Sequence, residues 1–267
     1  MNSNLNRLAQ ATAMSLLWTV TATSAHEGMW MPGQTAEVGA AMRADGLQID
    51  PAQLSRLDAA PLNAIVSLGG CSASFVSPQG LVATNHHCVL ESIQYNSKES
   101  QDYLTNGFLA KSLGEELPAV PGSRIYVIED MRNVTADMLK GVSDKLNGFA
   151  RYERLDTNRK ALIAACEEQP NRRCGVGSYY GGASYYLQQK LEIQDVRLVY
   201  APGLGIGNFG GETDNWMWPR HTGDFGFYRA YVAPDGSSRP YARDNVPYRP
   251  KDWLRIASKG VQEGDFV

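Results

Sequence analysis

Apolar and polar residues change their period several times along the chain, and each change predicts an element. Residues 64–68 form a short apolar run that reads as a strand leading into Gly69. Residues 72–76 and 81–84 are runs of small, β-branched and apolar residues. Between them, Ser77, Pro78 and Gly80 supply the fixed φ and the left-handed tolerance of a tight turn, so the two runs predict a hairpin. Further strands are predicted over 124–129, from Ile125, Tyr126, Val127 and Ile128, and over 184–189 and 191–200, the last stopped by Pro202. Residues 225–232 alternate as a strand that turns at Pro234-Asp235-Gly236.

Helical period is concentrated in one stretch. From Thr135 to Cys166, Met138, Leu139, Val142, Leu146, Phe149, Leu155, Leu162 and Ile163 recur at helical spacing among charged residues. This predicts a helical excursion over about 135–170, broken near Asn147-Gly148. Asp50 and Pro51 read as the N-cap and first position of a short helix whose apolar face is Leu54, Leu57 and Leu62. Residues 89–95 and 102–110 show no clean period and predict loops and one-turn helices. The fold class is therefore mainly β with a helical insertion.

Composition narrows the class. The chain has 267 residues, 43% of them hydrophobic, enough for a substantial core. Its net charge of −3, with no basic block, argues against a nucleic-acid partner. The cysteines, at 71, 88, 166 and 174, form an even set without a CxxC pair, which fits an exported, oxidised protein. Antiparallel pairing of the 72–84 hairpin would bring Cys71 and Cys88 together as a disulfide, while Cys166 and Cys174 would close a small loop. Residues 1–25 support export: Arg7 is the only charge, residues 8–22 are moderately apolar, and Thr23-Ser24-Ala25 offers a cleavage point. That apolar run is too short and too broken for a membrane span. The mature chain is expected to begin near His26, in the periplasm or outside the cell.

Two constellations carry candidate chemistry. The first is the hairpin itself, which delivers two adjacent histidines, His86 and His87, onto a cysteine that would pin their backbone. A base that must stay within reach of a nucleophile gains from such a frame. The second runs from Asp214 to Phe225 and holds Asn215, Trp216, Trp218, Arg220, His221 and Asp224. Asp224 sits at a strand start, from which a carboxylate can reach the Nδ1 proton of a histidine on a neighbouring strand. Just before it, Gly205-Ile206-Gly207-Asn208-Phe209-Gly210 matches the dinucleotide fingerprint literally. That reading is rejected, because no helical period and no βαβ unit follow the glycines.

Thr84-Asn85-His86-His87-Cys88, bridged back to Gly69-Gly70-Cys71, resembles the histidine segment of chymotrypsin-like serine peptidases. More narrowly, residues 69–88 and Glu27-Gly28-Met29-Trp30 resemble the bacterial serine dipeptidyl peptidases of the dipeptidyl peptidase 7 and dipeptidyl peptidase 11 type. The resemblance implies a chymotrypsin-like β-barrel, incomplete in this chain, with His87 as the catalytic histidine because it directly precedes the cysteine, and Asp224 as the triad acid. It also implies that Asn215 and Trp216 hold the free N-terminus of a peptide substrate, the indole offering cation–π attraction to an ammonium. No cofactor and no metal are implied, and a homodimer is an expectation for the full-length protein only.

No serine here has the Gly-rich surroundings of a nucleophile: Ser72 and Ser74 lie in a strand, and Ser178 and Ser184 sit beside tyrosines. Residues 264–267 read as the start of a strand. The expectation is thus residues 26–267 as the N-terminal part of a peptidase domain, with the second barrel, a helical domain and the serine lying outside the chain. The alternative is a non-catalytic exported β-domain that binds peptide N-termini. A zinc hydrolase built on His86, His87 and His221 is disfavoured, since adjacent histidines on an extended segment face opposite ways and no HExxH helix exists.

Overall fold

The structure is a computed structural model that describes residues 30–266, with only the backbone described at Asp214 and Asn215. Residues 1–25, expected to be a signal peptide, and Glu27-Gly28-Met29 lie outside the described residues. In chain order the helices are α1 (Thr35–Ala44), α2 (His86–Asn96), α3 (Tyr103–Asn106), α4 (Thr135–Met138), α5 (Gly148–Cys166), α6 (Leu204–Gly207) and α7 (Gly211–Trp216). The strands are β1 (Ile65–Ser67), β2 (Ser72–Phe75), β3 (Leu81–Thr84), β4 (Phe108–Leu109), β5 (Leu117–Pro118), β6 (Ile125–Asn133), β7 (Arg172–Tyr179), β8 (Ser184–Ile193), β9 (Asp195–Ala201), β10 (Gly226–Val232) and β11 (Val246–Pro247).

These strands make one antiparallel sheet in the order β4-β9-β10-β3-β2-β1-β6-β8-β7, with β11 added to β10 and β5 to β9. The path ends at β4 and β7 without joining them, so the described residues form an open, mainly antiparallel sheet with a few helices, and the incomplete β-barrel that the resemblance implies is not closed here. The β2–β3 hairpin forms in the expected place, pairing Ser74 with Ala83 and Phe75 with Val82. Its turn is held by Ser77 Oγ, which accepts the N–H groups of Gln79 and Leu81.

Two apolar clusters divide the sheet. The larger gathers Phe75, Val82, Val89, Ile93, Ile125, Ile193, Leu198 and Tyr228, most of them fully buried, each side chain worth about 1.5–3 kcal/mol. The smaller, of Val134, Met138, Cys166, Tyr185 and Leu187, packs the helical excursion onto the far ends of β6 and β8. The Cys166–Cys174 disulfide ties the end of α5 to β7. The break at Asn147 is a cap: its Oδ1 accepts the Ala150 N–H at 2.9 Å.

Several local expectations are corrected. Residues 89–95 are helix and not loop. Val89 and Ile93 form an i, i+4 apolar pair, but the buried third position of that face is the polar Ser92, which blurs the period. The strand pair β8–β9 turns at Gln194 and not at Lys190. Residues 172–179 are an edge strand whose two arginines and two glycines hide the alternation. Residues 204–216 hold two short helices where only loop is expected. No strand occurs among the described residues after β11.

Candidate active site

Register places the site. Gly226 at the start of β10 pairs with Thr84 at the end of β3, so Asp224 lies opposite the turn in which β3 becomes α2. That turn is Asn85, extended at φ −77° and ψ 155°, the N-cap residue of α2. An Asn here ordinarily accepts an N–H of its own first turn, but Asn85 does not. Its Nδ2 donates instead to Asp224 Oδ2 at 3.0 Å and to the Asp224 carbonyl at 3.3 Å. The helix is capped by Asp224: the His87 N–H donates to Oδ1 at 3.1 Å, and a carboxylate suits the positive end of the helix dipole.

The same carboxylate takes the ring. His87 Nδ1 lies 2.9 Å from Asp224 Oδ2, and since an ionised carboxylate can only accept, Nδ1 carries the proton. In the neutral ring Nε2 then holds the lone pair. Burial pushes the Asp224 carboxyl up, yet the bonds from the His87 N–H, the His87 ring and Asn85 outweigh it and hold the group below its ordinary value. The Asp224 side chain is 19% exposed and that of His87 61% exposed, so an oriented acid stands behind an accessible imidazole.

Cys88 follows His87 directly and is joined to Cys71 by a disulfide with an S–S distance of 2.03 Å. Both sulfurs lie within 4.8 Å of a His87 ring nitrogen. A sulfur bonded to sulfur is not a thiolate, so this group is a frame for the ring and not a metal-ligand set.

His86 and His87 are separated by the helix and not by an extended chain. His86 is buried at 1% exposure, with Nε2 donating to the Pro202 carbonyl at 3.0 Å. Burial is the main cause that lowers its pKa, against the opposing bond to Pro202. Gly207 makes room for this ring: a Cβ there would lie 2.3 Å from His86 Cγ. The glycine-rich run rejected as a nucleotide site therefore serves His86. His221 lines a different hollow, beside Gly205, Ile206 and Phe209.

A cavity of about 250 Å³ opens beside His87, walled by His86, Leu204, Gly207, Glu212 and Asp224 among others. No serine lines it, and its one hydroxyl, Thr222, bonds the carbonyls of Ile206 and Gly207. Trp216 sits on α7, whose first residues Gly211 and Glu212 reach the cavity wall; the residue is 80% exposed and outside that lining. The Asn215 side chain lies outside the described atoms. Sequence reasoning missed Asn85, although it adjoins the histidines, and missed Gly207 as a partner of His86. Its signal was the glycine run itself.

Comparison with known proteins gives the family. A family model described as Peptidase S46 matches residues 25–267. An Asp/Glu-specific dipeptidyl-peptidase of Shewanella putrefaciens is 46% identical over 257 residues, 96% of this chain and 35% of the relative. A dipeptidyl-peptidase 7 of Phocaeicola vulgatus is 37% identical over 256 residues, 92% of this chain and 35% of the relative. The crystal structure of Porphyromonas endodontalis DPP11 in complex with the dipeptide Arg-Glu aligns with a TM-score of 0.80 at 38% identity, covering 89% of this chain and 35% of that one. The chain spans about a third of the length of the curated relatives it matches. With the family model matched over nearly its whole length, the chain belongs to the peptidase S46 family.

Proposed function

We propose that this chain is the histidine- and aspartate-bearing part of a serine dipeptidyl peptidase that releases dipeptides from the free N-terminus of peptides. The observation that carries the reading is the His87–Asp224 pair, an accessible imidazole whose Nδ1 proton is held at 2.9 Å by a carboxylate that also takes the His87 N–H. Relatives named as dipeptidyl-peptidases supply the substrate class.

In this reading the sheet is the first part of a chymotrypsin-like catalytic domain. A second barrel, a helical domain and the nucleophilic serine belong to the part of the relatives' length that this chain does not span. His87 Nε2 takes the serine proton as the hydroxyl attacks the scissile carbonyl, Asp224 stabilises the imidazolium, and His87 returns the proton to the leaving amine. Asn215 and Trp216 on α7 seat the substrate's α-ammonium, and that fixed distance limits the product to a dipeptide. Residues 1–25 act as a signal peptide, and the paired cysteines suit an oxidising compartment.

The test uses the full-length gene product with fluorogenic dipeptidyl substrates bearing acidic or apolar penultimate residues. Dipeptide release, labelling by a serine-directed phosphonate, and loss of both in His87→Ala support the reading. Undiminished release by His87→Ala sinks it.

A further inference from the structure

The paired residues sit on two separate elements, α2 and the lead into β10, and something must hold those elements in register. Contact between them is close at Gly226, where a Cβ would come within 2.8 Å of Val89 Cγ2. This contact sets how closely α2 approaches β10 but is apolar and non-directional. Two residues further along β10, Tyr228 is 4% exposed, and its hydroxyl lies 2.7 Å from Ser92 Oγ and 3.4 Å from the Cys88 carbonyl. Ser92 is fully buried, and its Oγ also accepts the Val120 N–H at 3.1 Å. The phenol thus spans from the strand that follows Asp224 to the residue after His87 and to the turn beneath it. Burial pushes the phenol pKa up to about 12, so it remains a neutral donor at working pH.

We propose that Tyr228 is a positioning residue: through Ser92 and the Cys88 carbonyl it fixes α2 on β10 and so sets the His87 Nδ1–Asp224 geometry. Its catalytic consequence rests on the peptidase reading above; its structural claim does not. Tyr231 supplies a matched control. It lies on the same strand at 2% exposure, and its hydroxyl donates at 2.8 Å to Glu116, which is no part of α2.

The experiment is NMR on the full-length gene product with isotope-labelled histidine, following the low-field His87 Nδ1 proton in wild type, Tyr228→Phe, Tyr231→Phe and Ser92→Ala. Both phenylalanine variants delete one buried hydroxyl. Only Tyr228→Phe and Ser92→Ala are expected to shift this proton and to speed its exchange with water, by about fivefold, while the double variant goes no further than either single one. In the full-length protein Tyr228→Phe is expected to lower kcat about tenfold with KM held within about twofold. An unmoved His87 proton in Tyr228→Phe overturns the proposal, and so does an equal shift in Tyr231→Phe. If full-length wild type releases no dipeptide, the peptidase reading fails while the NMR outcome still decides the positioning claim.

Discussion

Asp224 holds His87 by two handles at once, accepting the backbone N–H on Oδ1 at 3.1 Å and the ring Nδ1 on Oδ2 at 2.9 Å. One carboxylate thereby caps a helix and orients an imidazole, so the ring is fixed relative to its own backbone as well as to β10.

This double role separates stability from catalysis. Asp224→Ala leaves the first turn of α2 without its acceptor and the Asn85 amide with only the backbone carbonyl of residue 224, and is expected to cost about 1–2 kcal/mol of stability, whereas His87→Ala leaves the cap in place and costs less. Thermal unfolding of the two variants checks the order. The sign of the pH effect follows from the lowered Asp224 pKa. The carboxylate's contribution is full above its unfolded value near 3.8 and is lost as pH falls through the folded value, so the gap between wild type and Asp224→Ala narrows in acid.

His86 gives a second pH signature at a different place. Its folded pKa lies below the ordinary 6.5, so between those two values the unfolded chain holds more protons and stability rises with pH. This contribution is complete above about 6.5 and declines as pH falls toward the folded value. His86→Gln keeps a donor for the Pro202 carbonyl and removes the titration. Denaturant unfolding across this window is expected to give a flatter stability profile for His86→Gln than for wild type.

Gly207→Ala tests why the glycine run is there. The added methyl would sit 2.3–2.5 Å from the His86 ring, far inside contact distance, and the ring is walled in by burial. A loss of about 1–3 kcal/mol is expected from the forced displacement, read by denaturant unfolding. Gly205→Ala is the comparison, since a Cβ there meets nothing within 4 Å.

The sequence made the hairpin legible because its signals are local: Pro78 and Gly80 between two short apolar runs, and cysteines at both ends. The helical excursion was legible for the same reason, through its period and the Asn147 cap. α2 was not, because its cap comes from Asp224, 137 residues beyond His87, and one buried position on its apolar face is a serine. The open sheet was also hidden, since alternation within strands says nothing about whether the first and last strands meet. At the site, His87 and Asp224 are singled out through the resemblance of their chain segments to a known family. The partners of Asn85, Gly207 and Tyr228 are not legible, because folding alone brings them together.

The most direct test of the account is the rate of dipeptide release by full-length Asp224→Asn, which keeps the size of the side chain but cannot hold the Nδ1 proton as a carboxylate does. The account predicts a fall in kcat of about four orders of magnitude with KM little changed. A variant that retains kcat within about tenfold of wild type would contradict the assignment of Asp224 as the group that makes His87 a base.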